Sequence, residues 1–494
     1  MMVTTSGGAL LVLILLLPFT AMLLGFALGG RASRRLAWVS MPLGLAMALM
    51  LLAGVLHAGA PIVYLVGGVA PPLGLALRAD GLSAAMLLTT AVVVGTVGLY
   101  AHAGYAAASA EARAPFAFWL FYLALWAALN AAFLGGDLFT LFVALEMLSF
   151  AALALACLDG RASQFKAELR YLLFSLIGAG LYLLGAALLF GAYGTLDIML
   201  LAQRMRAEPL AYIAAALMTV GLLAKMALFP LHLWLPAAHA GAPPAASALL
   251  SGLVVKAAYI LLLRLWFWVF PLSMAQAVVP ILALLGAGAI LFGSLVALRQ
   301  VRLKLLIAYS TVAQIGYLFL VFPLVAGQAP EIAAGAWMGG ALQAISHAFA
   351  KAAMFLAAGI IAAALGHDRI AELGGVARVA PLSVLAFGLA GLSLMGIPPS
   401  GGFTAKWLLL LAAIETGQWW WALVMLGGGL LTGFYVFRVL TVCLAGREAP
   451  ARSLAPVSRM QEGAALGLAV LSVALGLMPL ASFGLVQIGR VLPP

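Results

Sequence analysis

The stretch AKMALFPLHLWLP, residues 224–236, interrupts an apolar run with a lysine and two prolines. Lys225 comes directly before the interruption, and Pro230 and Pro236 follow it. Each proline lacks a backbone N–H and breaks the hydrogen-bond pattern of a helix. In a membrane, such a break is tolerated only where the opened backbone is buried in protein or lines a polar cavity. The stretch therefore predicts a helix that opens within the membrane beside a lysine.

A second interruption also combines two prolines with a lysine, but here the lysine follows the prolines. The stretch LMGIPPSGGFTAKW, residues 394–407, contains Pro398 and Pro399, and Lys406 follows them. Broken helices at corresponding places of two halves are typical of inverted repeats in transporters. The two breaks lie five helices apart, which predicts one inverted repeat over helices 4–8 and another over helices 9–13. Plain proline kinks are the alternative explanation of both stretches.

The composition assigns the whole chain to a membrane. Of its 494 residues, 66% are apolar and only 8% are charged, whereas soluble domains carry roughly 25% charged residues. No polar half remains that would fold in water, so residues 1–494 are predicted to form one all-α integral membrane domain. The net charge of +11 is spread over short loops in twos and threes, which argues against a nucleic-acid partner.

No cofactor or metal site is expected in this chain. Its two cysteines, Cys157 and Cys443, are far apart and support neither a disulfide framework nor a CxxC metal site. The sequence also contains no haem-attachment motif, no GxGxxG segment opening a βαβ unit and no P-loop. The energy for any transport must therefore come from a source other than a cofactor held here.

About fourteen apolar runs are long enough to cross the ~30 Å hydrocarbon core of a bilayer. The first run lacks a basic start and is followed by arginines, so it is predicted to be a transmembrane helix and not a signal peptide. The runs divide the chain into three N-terminal helices (1–105), a first repeat (115–270), a second repeat (277–445) and a C-terminal helix (464–490).

Lysine and arginine are distributed unequally between alternate loops. The even-numbered loops and the C-terminal tail contain four of them, and the odd-numbered loops contain fifteen. The fifteen are Arg31, Arg34, Arg35, Arg113, Arg161, Lys166, Arg170, Arg299, Arg302, Lys304, Arg369, Arg378, Arg447, Arg452 and Arg459. The positive-inside rule then predicts that the odd-numbered loops are cytoplasmic and that both termini lie on the outer face.

Few charged residues fall within the apolar runs, where each costs at least ~2.5–3.5 kcal/mol. Glu146 is the one acid predicted to lie well inside a span. The basic residues in the spans are Lys225, Lys256, Arg264, Lys351, Lys406 and Arg438. The two arginines lie toward helix ends, where long side chains snorkel to the headgroups. The acid and the lysines predict a relay for protons or small cations, since a passive scaffold would not need them.

Glu146 and Lys225 are predicted to act as a pair. Burial disfavours a charged lysine, and a neighbouring carboxylate favours it. The pair would therefore keep its charge when closed and release a proton when separated. His232 and His239 lie near the cytoplasmic end of the broken seventh helix and could load protons, because histidine titrates near neutral pH. A satisfied interfacial histidine is the alternative for each.

Five stretches of the chain together resemble one known protein family. They are GDLFTLFVALEML (136–148), LLAKMALFPLHLWLPAAHAGAPPAASALLSGLVVKAAYILLLR (222–264), AYSTVAQIGYLFL (308–320), AISHAFAKAAMFLAAG (344–359) and GIPPSGGFTAKW (396–407). Together they are similar to the proton-conducting antiporter-like family. That family includes the A-type and D-type subunits of Mrp cation/proton antiporters, the three antiporter-like subunits of respiratory complex I, and subunits of membrane-bound hydrogenases. The resemblance covers about residues 75–415.

The resemblance implies a role for each internal charge. It makes Glu146 the fifth-helix glutamate and Lys225 the seventh-helix lysine that pairs with it. It implies that Lys256 is the connecting lysine of the eighth helix. It likewise implies that His347 is the histidine of the eleventh helix and that Lys406 is the terminal lysine of the twelfth. Lys351 follows His347 by one turn on the same helix face and is expected to be accessory.

Two positions depart from the family pattern. Gln314 stands where some members carry a tenth-helix histidine, so this accessory station is expected to be bridged by water. Ala237 stands where many complex I members have an acid, which leaves His239 as the nearby titratable group. Neither departure removes the series formed by the glutamate and the lysines.

The resemblance implies an ion-translocating component of a multisubunit complex in a bacterial inner membrane. Within the family, the stretch VGGVAPPLGLALRADGLSAAML (Val66–Leu87) looks most like the D-type Mrp members and the hydrogenase-linked members. Mrp membership implies partner membrane subunits and exchange of Na⁺ or K⁺ for H⁺. The alternative is the proton-pumping arm of complex I (NADH-quinone oxidoreductase) or of a hydrogenase, whose partner subunits hold flavin, iron–sulfur clusters or nickel.

Overall fold

The computed structural model describes residues 3–105, 113–445 and 456–490, and these parts of the chain are almost entirely helical. Arg447 and Arg452, two of the fifteen basic loop residues, lie outside the described ranges. The first half contains helices α1 (Ala9–Leu28), α2 (Gly30–Ala58), α3 (Gly81–Gly104), α4 (Arg113–Leu134), α5 (Leu138–Ala156), α6 (Ala162–Tyr193), α7 (Ile198–Arg204), α8 (Pro209–Met226), α9 (Leu235–Gly241), α10 (Pro244–Leu249) and α11 (Val255–Arg264). Strands β1 (Ile62–Leu65) and β2 (Ala76–Ala79) pair antiparallel between α2 and α3.

The second half continues in the same way. Its helices are α12 (Leu272–Leu298), α13 (Leu303–Phe319), α14 (Val321–Val325), α15 (Pro330–Leu365), α16 (Val376–Val379), α17 (Pro381–Met395), α18 (Gly401–Glu415), α19 (Trp419–Leu444) and α20 (Arg459–Ala474). Short 3₁₀ segments occupy Val66–Gly68, Ile370–Glu372, Leu475–Leu477 and Leu480–Gln487. Two π-helical turns, Leu250–Val254 and Leu265–Val269, extend α11 at both ends.

The described residues contain thirteen helical segments that are long and apolar enough to cross a membrane. The pair α17 and α18 adds one more crossing, because each has 15 residues and the two flank the second break. The predicted all-α membrane fold with about fourteen spans is thus confirmed. The twelfth span is formed by α17 and α18 together, whereas in the broken seventh span α8 alone is long enough to cross. The inverted symmetry of the two halves stays a prediction.

The first break begins where α8 ends at Met226. Ala227 has a left-handed backbone with φ of 56°, and turns follow before α9 begins at Leu235. Pro230 lies in this opened segment. Pro236, by contrast, lies in the first turn of α9, where proline is well suited because the first N–H groups of a helix have no partner within it. Pro236 therefore begins the next helical segment.

The second break lies between α17 and α18 and contains Pro398 and Pro399. The Ser400 hydroxyl accepts a hydrogen bond from the Phe403 backbone N–H at 3.2 Å. This contact caps the start of α18, whose first N–H groups have no acceptor within the helix. The break therefore ends in a defined helix terminus inside the bundle.

Loops that the sequence assigns to one side of the membrane lie together. A cavity of about 310 Å³ is lined by residues from the fifth, seventh, ninth and eleventh loops, including Asp159, Gly241, Arg302 and Asp368. We call this end of the bundle the basic face and this space the basic-face cavity. At the opposite end, the Arg78 guanidinium donates to the Gly489 carbonyl of the C-terminal segment at 3.2 Å. The odd and even loops thus lie at the two ends of one bundle.

The helices that carry the internal lysines are enclosed by other helices. Residues 245–270 and 339–361 are buried throughout. By contrast, α1 and α2 expose large apolar side chains such as Phe26 and Leu56, which suits contact with lipid. The charged side chains therefore face the protein interior and not the hydrocarbon. Charged residues within the spans of membrane proteins usually have this orientation.

Arg264 does not snorkel to the headgroups as predicted. It is 3% exposed, and its guanidinium donates to the Ser83 hydroxyl at 2.7 Å and to the Phe133 carbonyl at 2.9 Å. It also lies over the Trp268 ring, 5.4 Å from the centroid. The first turn of α3, with Ser83, and the last turn of α4, with Phe133, supply these acceptors, so the guanidinium has hydrogen-bond partners without reaching water.

Arg438 binds the end of a neighbouring helix. Its guanidinium donates to the carbonyl of Leu298, the last residue of α12, where a positive charge favours the helix dipole. We expect Arg438→Ala to destabilise the protein by about 1 kcal/mol and to lower the yield of assembled protein, while transport per assembled molecule stays normal. Thermal unfolding of the purified chain and transport normalised to its amount would check both parts. A transport defect without a stability defect would contradict this role.

Candidate functional site

Glu146 and Lys225 are in direct contact in the bundle interior. The Lys225 ammonium donates to a Glu146 carboxylate oxygen at 2.5 Å, and their side chains are 5% and 17% exposed. The same ammonium donates to the hydroxyls of Ser149 at 3.1 Å and Ser175 at 3.0 Å. All three protons of the lysine therefore have acceptors, as a buried charge requires.

The helix break positions this pair. Lys225 is the last residue but one of α8, and Glu146 lies in the middle of α5. The chain turns back after the break, so the Trp234 indole N–H donates to the Ala224 carbonyl at 2.9 Å. Because α8 ends here, a small movement of the opened segment changes the position of Lys225 without bending a continuous helix.

Lys256 lies at the centre of the molecule and is fully buried. Its ammonium donates to the backbone carbonyl of Ser251 at 2.6 Å. Ser251 belongs to the π-helical turn Leu250–Val254, and such turns are frequent at functional sites because they disturb the regular backbone pairing. The local unwinding explains how a backbone carbonyl within a buried helix can accept a hydrogen bond from a side chain.

Lys351 and His347 lie on α15 beside the same centre. The fully buried Lys351 ammonium donates to the Ile307 carbonyl at 3.0 Å and to the Ser310 hydroxyl. The His347 ring is also buried, and neither ring nitrogen has a partner among the described residues. His347 lies within electrostatic range of three lysines, which are Lys256, Lys351 and Lys406. The histidine therefore has lysines of both the central group and the second break in its surroundings.

Lys406 lies across the second break. Its ammonium donates to the Leu394 carbonyl at 2.5 Å, in the last turn of α17, where the end of the helix dipole favours a cation. The ammonium also lies over the Tyr317 ring, 4.1 Å from the centroid. The break therefore provides Lys406 with a backbone acceptor that a continuous helix would have used internally.

Gln314 contacts the same backbone group as Lys406. Its side-chain amide donates to the Leu394 carbonyl at 3.1 Å, and Gln343 donates to the Gln314 side-chain oxygen at 3.0 Å. Gln314 therefore links Gln343 to the backbone acceptor of Lys406.

The two histidines near the first break differ in their surroundings. His239 is completely buried, and neither ring nitrogen has a partner among the described residues. It lies within electrostatic range of Lys256, Lys304 and Lys351, so it belongs to the central group and not to the membrane interface. His232 packs against Phe292 of α12, with ring centroids 5.0 Å apart.

Several charged residues outside the predicted relay are buried in the structure, among them Lys304 and Glu168. Lys304 was counted as a loop residue, yet it is 8% exposed and donates to the Ala242 carbonyl beneath the basic-face cavity. Glu168 was counted among the acids at helix ends, yet it is 1% exposed on α6. The sequence signal for Glu168 is a polar stripe along an apolar helix, with Gln164, Tyr171 and Ser175 at helical spacing on its face.

The site has an uneven distribution of charge. Of its four lysines, Lys225 has a carboxylate partner within 4 Å, whereas Lys256, Lys351 and Lys406 form no salt bridge in the described part of the chain. Lysine and histidine both exchange protons, and neutral forms are favoured for groups buried without a counter-charge. The arrangement can therefore pass a proton between groups that need not all be charged at once.

Comparisons with known proteins agree with this geometry. A family described as "NADH:quinone oxidoreductase/Mrp antiporter, TM" matches residues 135–432, more than half of the chain. The N-type subunit of NADH-quinone oxidoreductase from Desulforudis audaxviator is 36% identical over 457 residues, which cover 89% of this chain and 88% of that protein. The D-type subunit of the Na(+)/H(+) antiporter from Alkalihalophilus pseudofirmus is 32% identical, with 76% and 75% covered.

A solved structure extends the similarity to the whole fold. A chain of the Mrp complex from Dietzia sp. DQ12-45-1b superposes with a TM-score of 0.87 at 27% identity, and the match covers 98% of this chain and 96% of that chain. The family match spans both helix breaks, the Glu146–Lys225 pair, and Lys256, Lys351 and Lys406. The chain therefore belongs to the NADH:quinone oxidoreductase/Mrp antiporter transmembrane family.

Proposed function

We propose that this chain is the proton-translocating component of an Mrp-type antiporter, which exchanges Na⁺ or K⁺ for H⁺. The observation that carries the proposal is the buried contact of 2.5 Å between Lys225 and Glu146. It is followed by Lys256, Lys351 and Lys406, which are buried and form no salt bridge with any described residue. A proton would move along Glu146–Lys225, Lys256, His347 and Lys406. Lys351, Gln314, His232 and His239 would support this path.

The pair acts as the switch of the proposed relay. When Glu146 and Lys225 are in contact, the carboxylate stabilises the protonated lysine. The Coulomb energy of such a pair is about 4 kcal/mol at 4 Å for an effective dielectric constant of 20. Separating the two groups removes this stabilisation, and Lys225 becomes a better proton donor to the next station. A movement of the opened segment after α8 would therefore drive a proton toward Lys256.

A second candidate function uses the same path with another energy source. The chain would then be the proton-pumping component of a complex I (NADH-quinone oxidoreductase) or of a membrane-bound hydrogenase. The observation that favours it is the 36% identity to an N-type subunit of NADH-quinone oxidoreductase over 89% of the chain. In that case redox chemistry in partner subunits, and not a cation gradient, would move the Glu146–Lys225 pair.

The proposed setting is the inner membrane of a bacterium, with the basic face in the cytoplasm. The fifteen-to-four distribution of lysine and arginine between alternate loops supports this orientation through the positive-inside rule. Both termini would then lie on the outer face. Cysteines introduced at exposed loop positions and labelled in intact cells would test the orientation, and labelling of the basic face from outside would overturn it.

The two halves are proposed to be inverted repeats over 115–270 and 277–445. In each half a lysine lies beside a broken span, and its ammonium bonds to groups of neighbouring segments. Such paired broken helices are how transporters build ion sites near the membrane midplane. An inverted superposition of the two halves that fails to align the breaks would contradict this division.

Identification of the native partners separates the two candidate functions. The tagged chain would be extracted in mild detergent from its own membranes, and the proteins that copurify would be identified together with any flavin, iron or nickel. We expect small membrane subunits and cation-driven proton movement in sealed vesicles. Flavin- or iron–sulfur-containing partners, with proton movement driven only by a reductant, would replace the antiporter with a redox-driven pump.

A further inference from the structure

One buried acid has no place in the relay described above. Glu168 is 1% exposed, and its Oε2 atom has no hydrogen-bond partner among the described residues. A buried carboxylate without a partner is costly, which favours its neutral, protonated form. Glu462 provides the contrast, because this equally buried carboxylate accepts from the Ser383 backbone and hydroxyl and pairs with Arg459. Glu462 is thus explained by structure, whereas Glu168 is not.

Glu168 lies on a polar stripe of α6 that runs from the basic face to the pair. At the outer end, the Gln164 side-chain amide donates to Asp159 at 3.2 Å and to the Gly241 carbonyl at 2.8 Å. Both acceptor residues line the basic-face cavity. At the inner end, the Ser175 hydroxyl accepts from Lys225 at 3.0 Å. The stripe therefore has water at one end and the relay lysine at the other.

Tyr171 fills the interval between Glu168 and Ser175. Its ring stacks on Trp234 with centroids 4.4 Å apart, and it lies within electrostatic range of both Glu168 and Glu146. With a helical rise of about 1.5 Å per residue, the steps from Gln164 to Glu168, Tyr171 and Ser175 are about 6, 5 and 6 Å along the axis. One water molecule or one side-chain rotation covers each step.

We propose that Glu168 is the proton-loading group that connects the basic-face cavity with the Glu146–Lys225 pair. The proposal rests on the proton relay described under the proposed function. Glu168 in its acid form gives its proton, through a bridging water, to Lys225 after Lys225 has passed its own proton onward. The resulting carboxylate then takes a proton from water of the cavity. Gln164, which bonds to both sides of the entrance, regulates how water reaches Glu168.

A cation other than a proton does not fit this position. On the inner side, beyond Tyr171, the hydroxyls of Ser149 and Ser175 already accept hydrogen bonds from the Lys225 ammonium. A sodium or potassium ion beside Glu168 would need several oxygen ligands and would face this positive charge. The stripe therefore supplies a path for protons, in which a single carboxyl group between two hydrogen-bonding regions is sufficient.

The test compares three substitutions of Glu168 in the assembled complex. Proton uptake would be followed in inverted membrane vesicles, driven by the cation gradient or reductant that drives the unmodified protein. We expect Glu168→Gln and Glu168→Ala to slow uptake by about tenfold to a hundredfold, because they remove a proton-transfer group. Glu168→Asp should retain most of the rate. Formate should restore uptake in Glu168→Ala, where it fits the vacated space, and not in Glu168→Gln.

Controls make the outcome specific. Glu462→Gln, at the partnered buried acid, should leave the uptake rate unchanged. A normal uptake rate in Glu168→Gln, measured beside an inactive Glu146→Gln, would overturn the loading role and leave the proposed function intact. Normal rates in both would overturn the proposed function as well. Slow uptake in Glu168→Ala without formate rescue, together with normal uptake in Glu168→Gln, would show a packing role.

A second measurement does not depend on transport. In a background of Cys157→Ser and Cys443→Ser, the substitution Glu168→Cys would be exposed to a small, membrane-impermeant thiol reagent. We expect modification in inverted vesicles, which present the basic face, and none in vesicles of the opposite orientation. Absence of modification from the basic face would overturn the proposed route from the cavity to Glu168.

Discussion

Glu146→Gln and Lys225→Met are each expected to lower the rate of proton translocation by about a hundredfold or more. Lys225→Met removes the group that carries the proton. Glu146→Gln keeps a side-chain oxygen that accepts from Lys225 but removes the negative charge beside it, so the switch between paired and separated states is lost. Proton uptake in inverted vesicles that contain the assembled complex would measure both effects.

The double variant separates transport from stability. Lys225→Met alone leaves a largely buried carboxylate without its partner, and breaking a buried pair in this way costs about 3–5 kcal/mol. Glu146→Gln combined with Lys225→Met removes both charges, so we expect it to restore assembly and thermal stability without restoring transport. Glu331→Gln, at an exposed acid of α15, is the matched control with normal transport. Full transport in either single variant would contradict the relay.

Lys256→Met and Lys256→Arg are both expected to stop translocation, for different reasons. Methionine has a similar length and no charge. Arginine keeps the charge but does not release its proton in proteins. Lys256 is fully buried, and the Ser251 carbonyl is its one hydrogen-bond acceptor within the described ranges of the chain. A lysine buried without a counter-charge carries a desolvation cost that methionine removes, so Lys256→Met should not lower the unfolding temperature of the complex.

Loss of transport without loss of stability identifies a lysine that functions in proton transfer. Thermal unfolding and proton uptake would be measured on the same preparations of Lys256→Met, Lys256→Arg and Lys166→Met, the last at an exposed lysine of α6. We expect stability to be kept and uptake to be lost only at position 256. Normal uptake in Lys256→Arg would mean that the position needs a fixed positive charge and not a transferable proton.

The prediction of Lys406 and Lys225 beside broken helices depended on local sequence alone. Proline removes a backbone donor wherever it stands, and a lysine in an apolar run is costly whatever surrounds it. Both facts are readable without a structure, and the structure has α8 ending at Met226 and α17 ending at Met395. The number of spans followed in the same way, since the length and polarity of each run decide whether it can cross a bilayer.

Glu168, Arg264 and His239 show where such reasoning ends. Each lies near the end of an apolar run, so the sequence allowed an exposed side chain at a helix end or at the interface. Neighbouring segments that are distant in sequence cover all three, and the structure leaves them 1%, 3% and 0% exposed. Burial depends on what packs against a residue, and the local sequence at a helix end does not show which distant segments will cover it.

The sequence by itself determined that this protein is a polytopic membrane protein with two broken helices and an internal series of one glutamate and several lysines. The cost of placing charge and unpaired backbone in hydrocarbon is large and local, so it leaves a clear pattern in the chain. Only the tertiary structure decided which groups meet. It brings Glu146 to 2.5 Å from Lys225, gives Lys406 the Leu394 carbonyl and leaves Glu168 without a partner among the described residues, because hydrogen bonds form between helices whose packing no single segment encodes.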